Sequence, residues 1–194
     1  MFNFFSSVRH GSCHSYIKNW GFVIKPVIIL SLIVQVGLIQ PTILLSEEPL
    51  TFPQSVTSVS GDEIDIEKIT KSKTVVVVTL KSPNCSVCRN QLERIKRNLG
   101  AFETCNMSFL VVCPGSVNEV KTVKKESGFP FPFIADTDLE IGDQIGLVLR
   151  DNELYPSIFV LKPNRTIRWM KKGRNYLYYG DEELREALNC HNWI

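Results

Sequence analysis

From Thr74 to Leu80 the chain reads Thr-Val-Val-Val-Val-Thr-Leu. Five residues later Cys85-Ser86-Val87-Cys88 opens a stretch in which Cys88, Leu92, Ile95 and Leu99 recur at helical spacing. Four consecutive valines do not alternate with polar residues, so the run predicts a strand buried on both faces, in the middle of a sheet covered by helices. Pro83-Asn84 ends that strand, and Asn84 is a good N-cap for a helix starting at Cys85. A thiol at a helix N-terminus meets unpaired backbone N–H groups and the positive end of the dipole, which favour the thiolate, the attacking species. Cys88, three residues on, lies about one helical turn away and can displace a mixed disulfide formed on Cys85. Cys88 falls on the apolar stripe and is predicted to face inward. Cys85, at the tip, is the cysteine that meets solvent and substrate. Lys81 is close in sequence and reads as a solvated surface lysine.

The rest of the chain supports or anchors this pair. Its 194 residues, 44% of them hydrophobic, suffice for one medium-sized core. A net charge of +2 without an evident basic face excludes nucleic acid as an expected partner. Residues 1–46 hold no Asp or Glu; Arg9, Lys18 and Lys25 precede an uncharged apolar run, 26–45, about long enough to cross a bilayer as a helix. The expectation is a basic leader (1–25), an uncleaved transmembrane anchor (26–45), a linker (46–53) and one α/β domain (54–194) on the extracytoplasmic side. A cleaved signal segment, giving a secreted or lumenal domain, and an organelle presequence are the alternatives.

Within the domain, Val56–Ser60 and Ile64–Ile66 flank the turn signal Gly61-Asp62 and predict a β-hairpin. Lys68–Lys73 leads into the valine run. Ser108–Cys113 is a second apolar strand, and Ser116–Ser127 is helix-compatible, with Val117, Val120 and Val123 as a thin stripe. The prolines of Gly128-Phe129-Pro130-Phe131-Pro132-Phe133 exclude a regular central strand there, leaving Phe133–Ala135 to pair briefly. Leu139–Leu149 is a helical candidate despite Gly142 and Gly146. Ser157–Leu161 and Thr166–Met170 around Lys162-Pro163-Asn164-Arg165 predict an antiparallel hairpin, and Asp181–Leu188 a terminal helix capped by Asp181.

This order of elements resembles the thioredoxin-like fold, a central mixed sheet flanked by helices with an N-terminal β-hairpin. The resemblance is to the branch that holds the AhpC/TSA (peroxiredoxin-like) and membrane-tethered TlpA/ResA-type proteins. It covers about Leu50 to Leu188. Three local likenesses accompany the two cysteines: the leading hairpin, the segment Phe131-Pro132-Phe133-Ile134-Ala135-Asp136, and Tyr155-Pro156-Ser157-Ile158-Phe159-Val160. The resemblance implies that Pro156 is cis and sits beside Cys85, and that Tyr155 offers backbone atoms to a docking peptide. Asn84 replaces the usual thioredoxin tryptophan, and Thr79 stands where thioredoxins keep a buried acid. A peroxiredoxin's P-x-x-x-T/S-x-x-C motif is matched at Ser82 and Cys85. Val78 replaces its proline, however, and Pro156 stands where its peroxide-polarising arginine is expected.

The function expected from all this is thiol-disulfide exchange, with Cys85 attacking, Cys88 resolving, and Tyr155 and Pro156 binding substrate. Partners would be protein thiols or disulfides, or a thioredoxin-type reductant. No cofactor and no metal is expected, because Cys105, Cys113, Cys190 and His191 show no second metal-ligand spacing. A peroxidase using Cys85 is the second reading and a redox-inert interaction module the third. Cys113 ends an apolar strand and reads as a small core residue; Cys105 and Cys190 are free or paired.

Overall fold

Gly61, at φ +95°, turns the chain between Ser55–Thr57 (β1) and Glu63–Asp65 (β2), which pair antiparallel as the sequence predicts. The Ser58 hydroxyl accepts from the N–H groups of Ser60 and Asp62 and pins that turn. The computed structural model describes residues 49–103, 105–173 and 181–188. The leader 1–25, the apolar run 26–45, the start of the linker, Cys190 and His191 lie outside the described residues. Among the described residues no helix is long and apolar enough to cross a membrane.

Asp65 accepts from Lys68 N–H at 2.9 Å and caps α1 (Ile66–Ser72), an element that the sequence reading passed over as a lead-in. Its seven residues make two turns, too few to show a periodicity, and only Ile66 and Thr70 are buried. The valine run then forms β3 (Thr74–Thr79), followed by α2 (Ser86–Arg97), α3 (Leu99–Glu103), β4 (Met107–Pro114), α4 (Val117–Ser127) and β5 (Phe133–Asp136). After them come α5 (Glu140–Gln144), β6 (Val148–Arg150), β7 (Glu153–Leu154), β8 (Ser157–Leu161), β9 (Ile167–Lys172) and α6 (Asp181–Leu188).

Five strands form the central sheet in the order β5-β4-β3-β8-β9. β3, β4 and β5 run parallel, while β8 pairs antiparallel with both β3 and β9, so the sheet is mixed. β3 is its middle strand and its valines are fully buried. Val76 and Val78 pack on one face with α2, α4, α6 and a group of phenylalanines from Phe102 to Phe133. Val75 and Val77 pack on the other with Phe52, α1 and the residues around α5. Unbroken hydrophobicity in β3 is therefore what two covered faces demand.

Several predicted boundaries shift. α2 starts at Ser86 and its N-cap is Cys85, not Asn84; it stops at Arg97, so Leu99 opens α3. Val117 is exposed, and only Val120 and Val123 of its stripe are buried. The candidate helix Leu139–Leu149 is helical only over Glu140–Gln144. Gly146, at φ +64°, ends it with Leu147 N–H bonded to Gly142 C=O, and the chain then enters β6. β6 and β7 form a small hairpin around Asp151-Asn152, with Asn152 at φ +58°, a turn signal that the helical reading masked.

Candidate functional site

The C-terminal end of β3 delivers the chain to the dithiol. Cys85 and Cys88 are joined as a disulfide with Cα atoms 5.3 Å apart. Cys85 is half-buried at the N-cap of α2, whereas Cys88 is only 1% exposed. The backbone N–H of Cys88 points at Cys85 Sγ from 3.2 Å, so the outer sulfur sits against the unpaired donors at the helix start. The sulfur itself caps the helix, so the Cys88 N–H is aimed at the outer of the two sulfurs.

Cys88 Sγ accepts from Lys81 N–H at 3.3 Å, and Lys81 C=O accepts from Leu154 N–H at 3.1 Å. One residue thus links the inner sulfur to the β7–β8 connection, which carries Tyr155 and Pro156. The Lys81 ammonium does not simply face water, as the sequence reading has it: it lies 3.3 Å from a Glu153 carboxylate oxygen that Arg150 also binds. The Arg150 hydrogen bond, with help from Lys81, holds the Glu153 carboxyl below the usual carboxylate range.

Tyr155 and Pro156 are both half-buried, on the connection that enters β8 beside Thr79. Their backbone is already occupied. Tyr155 N–H donates to Leu147 C=O at 2.7 Å, Tyr155 C=O accepts from the Thr79 hydroxyl at 2.9 Å, and Pro156 C=O accepts from Gly173 N–H at 2.8 Å. Thr79, where a thioredoxin acid was noted as missing, is fully buried and turned toward Ser157: Oγ1 accepts from Ser157 N–H at 2.7 Å and lies 2.7 Å from Ser157 Oγ.

Two residues that sequence reasoning missed hold the loop before Cys85. Arg89 donates to Pro83 C=O at 2.9 Å and pairs with Glu126 at 3.0 Å, tying that loop and α2 to α4. Gly115, at φ +111°, lets the β4–α4 turn approach Pro83, since a Cβ there would come within 3.0 Å of the Pro83 ring. Arg89 gave a weak signal, being one helical turn past Cys85; Gly115 gave one only as part of Pro114-Gly115.

Cys113 is a free, buried thiol, as read from the sequence. Burial, reinforced by the Glu119 charge and opposed by Arg89, pushes it up to about 12. Cys105 is disulfide-bonded to a partner outside the described residues. Among the described residues no group of three or more His, Cys, Asp or Glu is placed to hold a metal ion. A groove of about 510 Å³ lined by Lys73, Asn106, Lys162 and Pro163 opens at the other end of β3, away from the dithiol.

Comparison with known proteins gives a family and a fold. The AhpC/TSA family matches residues 51–170. No curated protein matches the chain. The structure is similar to the bacterioferritin comigratory protein of Xanthomonas campestris, at TM-score 0.63 and 17% identity, covering 74% of this chain and 96% of that one. It is similar to peroxidoxin BcpB of Mycobacterium tuberculosis, at TM-score 0.60 and 13% identity over 74% and 96% of the two chains. Reduced 2-Cys peroxiredoxin of Plasmodium vivax matches at TM-score 0.60 and 14% identity, over 73% and 93%. The last three likenesses establish the thioredoxin-like fold.

Proposed function

The chain belongs to the AhpC/TSA family, and from that premise we propose that it is a thiol-disulfide oxidoreductase in which Cys85 attacks and Cys88 resolves. The observation that supports this most is the unequal setting of two bonded sulfurs. Cys85 is half-exposed at a helix N-cap, and Cys88 is buried one turn on, within bonding reach. Electrons pass from a thioredoxin-type reductant or another thiol, through the dithiol, to a disulfide. Tyr155 and Pro156 wall the site on the β8 side. The apolar run 26–45 anchors the chain in a membrane, with the redox domain, residues 54–194, on the extracytoplasmic side.

The test is a pair of variants. Cys85→Ser abolishes disulfide exchange, whereas Cys88→Ser accumulates a mixed disulfide on Cys85 that mass spectrometry detects. Full activity in both variants sinks the proposal. Peroxide reduction by Cys85 is the second reading, favoured by the family and by a neighbour described by its alkyl peroxide reduction activity. Val78 and Pro156 argue against it, since they replace the two expected polarising residues. Stopped-flow mixing of the reduced protein with hydrogen peroxide separates the two: a rate no better than that of free cysteine rejects the peroxidase.

A further inference from the structure

The chain has six cysteines. Cys85 and Cys88 are bonded to each other, Cys113 is a free thiol, and Cys105 is disulfide-bonded. By elimination, the sulfur joined to Cys105 belongs to Cys13 or to Cys190. The Cα atoms of a disulfide stand about 4.4–6.8 Å apart, so the partner is the cysteine that the fold can bring that close.

Cys105 is fixed at the end of the sheet remote from the dithiol. Its N–H donates to Phe102 C=O at 3.0 Å, which turns the chain back after α3, and the C=O of the next residue, Asn106, accepts from Thr74 N–H at the start of β3. Phe102 meets Phe109 edge-on, with ring centroids 5.7 Å apart. Phe109 stands opposite Val76, and Val76 opposite Val160, so one row of buried side chains crosses β4, β3 and β8 on a single face. Val160 and Cys105 line the same groove.

α6 packs on β8. Glu183 pairs with Lys171 at 3.8 Å, and Lys171 stands opposite Ile158, which sets the first turn of the helix near the start of β8. Leu184 and Leu188 are buried in the cluster that holds Phe102, Phe109, Val76 and Val160, together with Cys88. Cys190 follows Leu188 by two residues, a reach of about 7 Å. Cys13 stands far ahead of Pro49, the first described residue, and among the described residues nothing adjacent in sequence ties it to this face.

We propose that Cys105 is bonded to Cys190, forming a second disulfide that staples the end of α6 to the turn between α3 and β4. The staple holds α6 on the cluster in which Cys88 is buried and takes no part in exchange. As it forms, Sγ joins Sγ, the two thiols lose two electrons and two protons to a disulfide RSSR, and two RSH leave. Closing so long a loop restricts the unfolded chain and stabilises the domain. Such a bond persists in an oxidising compartment, in keeping with the extracytoplasmic placement proposed above. The proposal is independent of the reaction that Cys85 and Cys88 carry out.

The full chain, purified without reductant, is denatured in iodoacetamide, digested with trypsin and mapped by mass spectrometry before and after reduction. Cleavage after Lys and Arg puts Cys13, Cys105 and Cys190 in separate peptides, 10–18, 98–121 and 186–194. The expected result is 98–121 linked to 186–194, with Cys113 alkylated, in a chain that runs as a monomer on a non-reducing gel. Linkage of 98–121 to 10–18, alkylation of both Cys105 and Cys113, or a covalent dimer that reduction separates overturns the proposal.

Cys105→Ser and Cys190→Ser are each expected to lower the thermal midpoint by at least about 5 °C, the double variant no further than either, and Cys13→Ser not at all. A Cys190→Ser chain with the wild-type midpoint overturns the staple. Should either variant fail to fold, the peptide map of the wild type still decides.

Discussion

Cys85 and Cys113 show how position decides the chemistry of a thiol. One sulfur sits half-exposed at the start of α2 with an N–H aimed at it; the other is buried in the core and pushed up to about 12. Iodoacetamide at pH 8 is therefore expected to label Cys85 in the reduced, folded protein and to leave Cys113 untouched until denaturant is added, as read by peptide mass spectrometry. The sign for stability follows from the same shift. The folded thiol holds its proton more tightly than the unfolded one, so its contribution is complete below the ordinary value of 9.0 and is lost as pH rises toward about 12. Stability of the reduced protein should fall across that window, and removing the thiol with Cys113→Ala should flatten the fall in urea titrations taken at increasing pH.

At the scale of elements, α4 shows how a helix end is secured. Ser116 and Glu119 form a capping box in which the Ser116 side chain accepts from Glu119 N–H and the Glu119 carboxylate accepts from Ser116 N–H. Ser116→Ala is expected to cost about 1 kcal/mol, seen as a lower urea midpoint with unchanged slope. Hydrogen bonds from the Ser116 side chain and backbone lower the Glu119 pKa, so its contribution is present above the ordinary 4.5 and lost as pH falls through the depressed value. The stability gap between the wild type and Glu119→Ala should accordingly narrow in acid. The turn before α4 is more demanding. Gly115→Ala places a side chain against Pro83 at a backbone angle that only glycine adopts freely, and is expected to cost about 1–3 kcal/mol. Pro83 lies in the loop before Cys85, so the same variant should slow disulfide exchange in the folded population, and an unchanged rate would show that the two loops are independent.

At the scale of the molecule, one strand organises two cores. The valines of β3 alternate between the cluster beneath α2 and the cluster around Phe52 and α5, and the strand ends at the dithiol. The chain enters the domain far from that end: the bridge between Thr51 and Thr166 and the bond from Phe52 N–H to Arg165 C=O lie beside the β8–β9 turn. If residues 26–45 anchor the chain, the full-length protein should stay in the pellet after alkaline carbonate extraction, and a chain beginning at Glu47 should remain in the supernatant. Recovery of the full-length chain in the supernatant would remove the anchor from the proposal.

What the sequence determined by itself is what local chemistry encodes. The valine run, the cysteine pair opening an amphipathic helix, the Gly61-Asp62 hairpin and the strand pair around Pro163-Asn164 are each specified by residues close together in the chain, and each was legible. The inward-facing Cys88 and buried Cys113 were legible for the same reason. Where two local signals compete, sequence reading picked the wrong one: Asn84 is a better cap by residue type, yet the Cys85 sulfur receives the N–H, and the apolar spacing of Leu139–Leu149 hid the turn at Asp151-Asn152. Tertiary structure alone decided which distant residues meet around the end of β3. The Thr79 hydroxyl and the Tyr155 carbonyl it binds are 76 residues apart, and Arg89 meets Glu126 on a different helix. The Cys85-Ser86-Val87-Cys88 pattern singles out the two candidate sulfurs. The backbone groups of Tyr155 and Pro156 are ones that every sequence contains, and which partners they bond is settled only by what the fold packs against them.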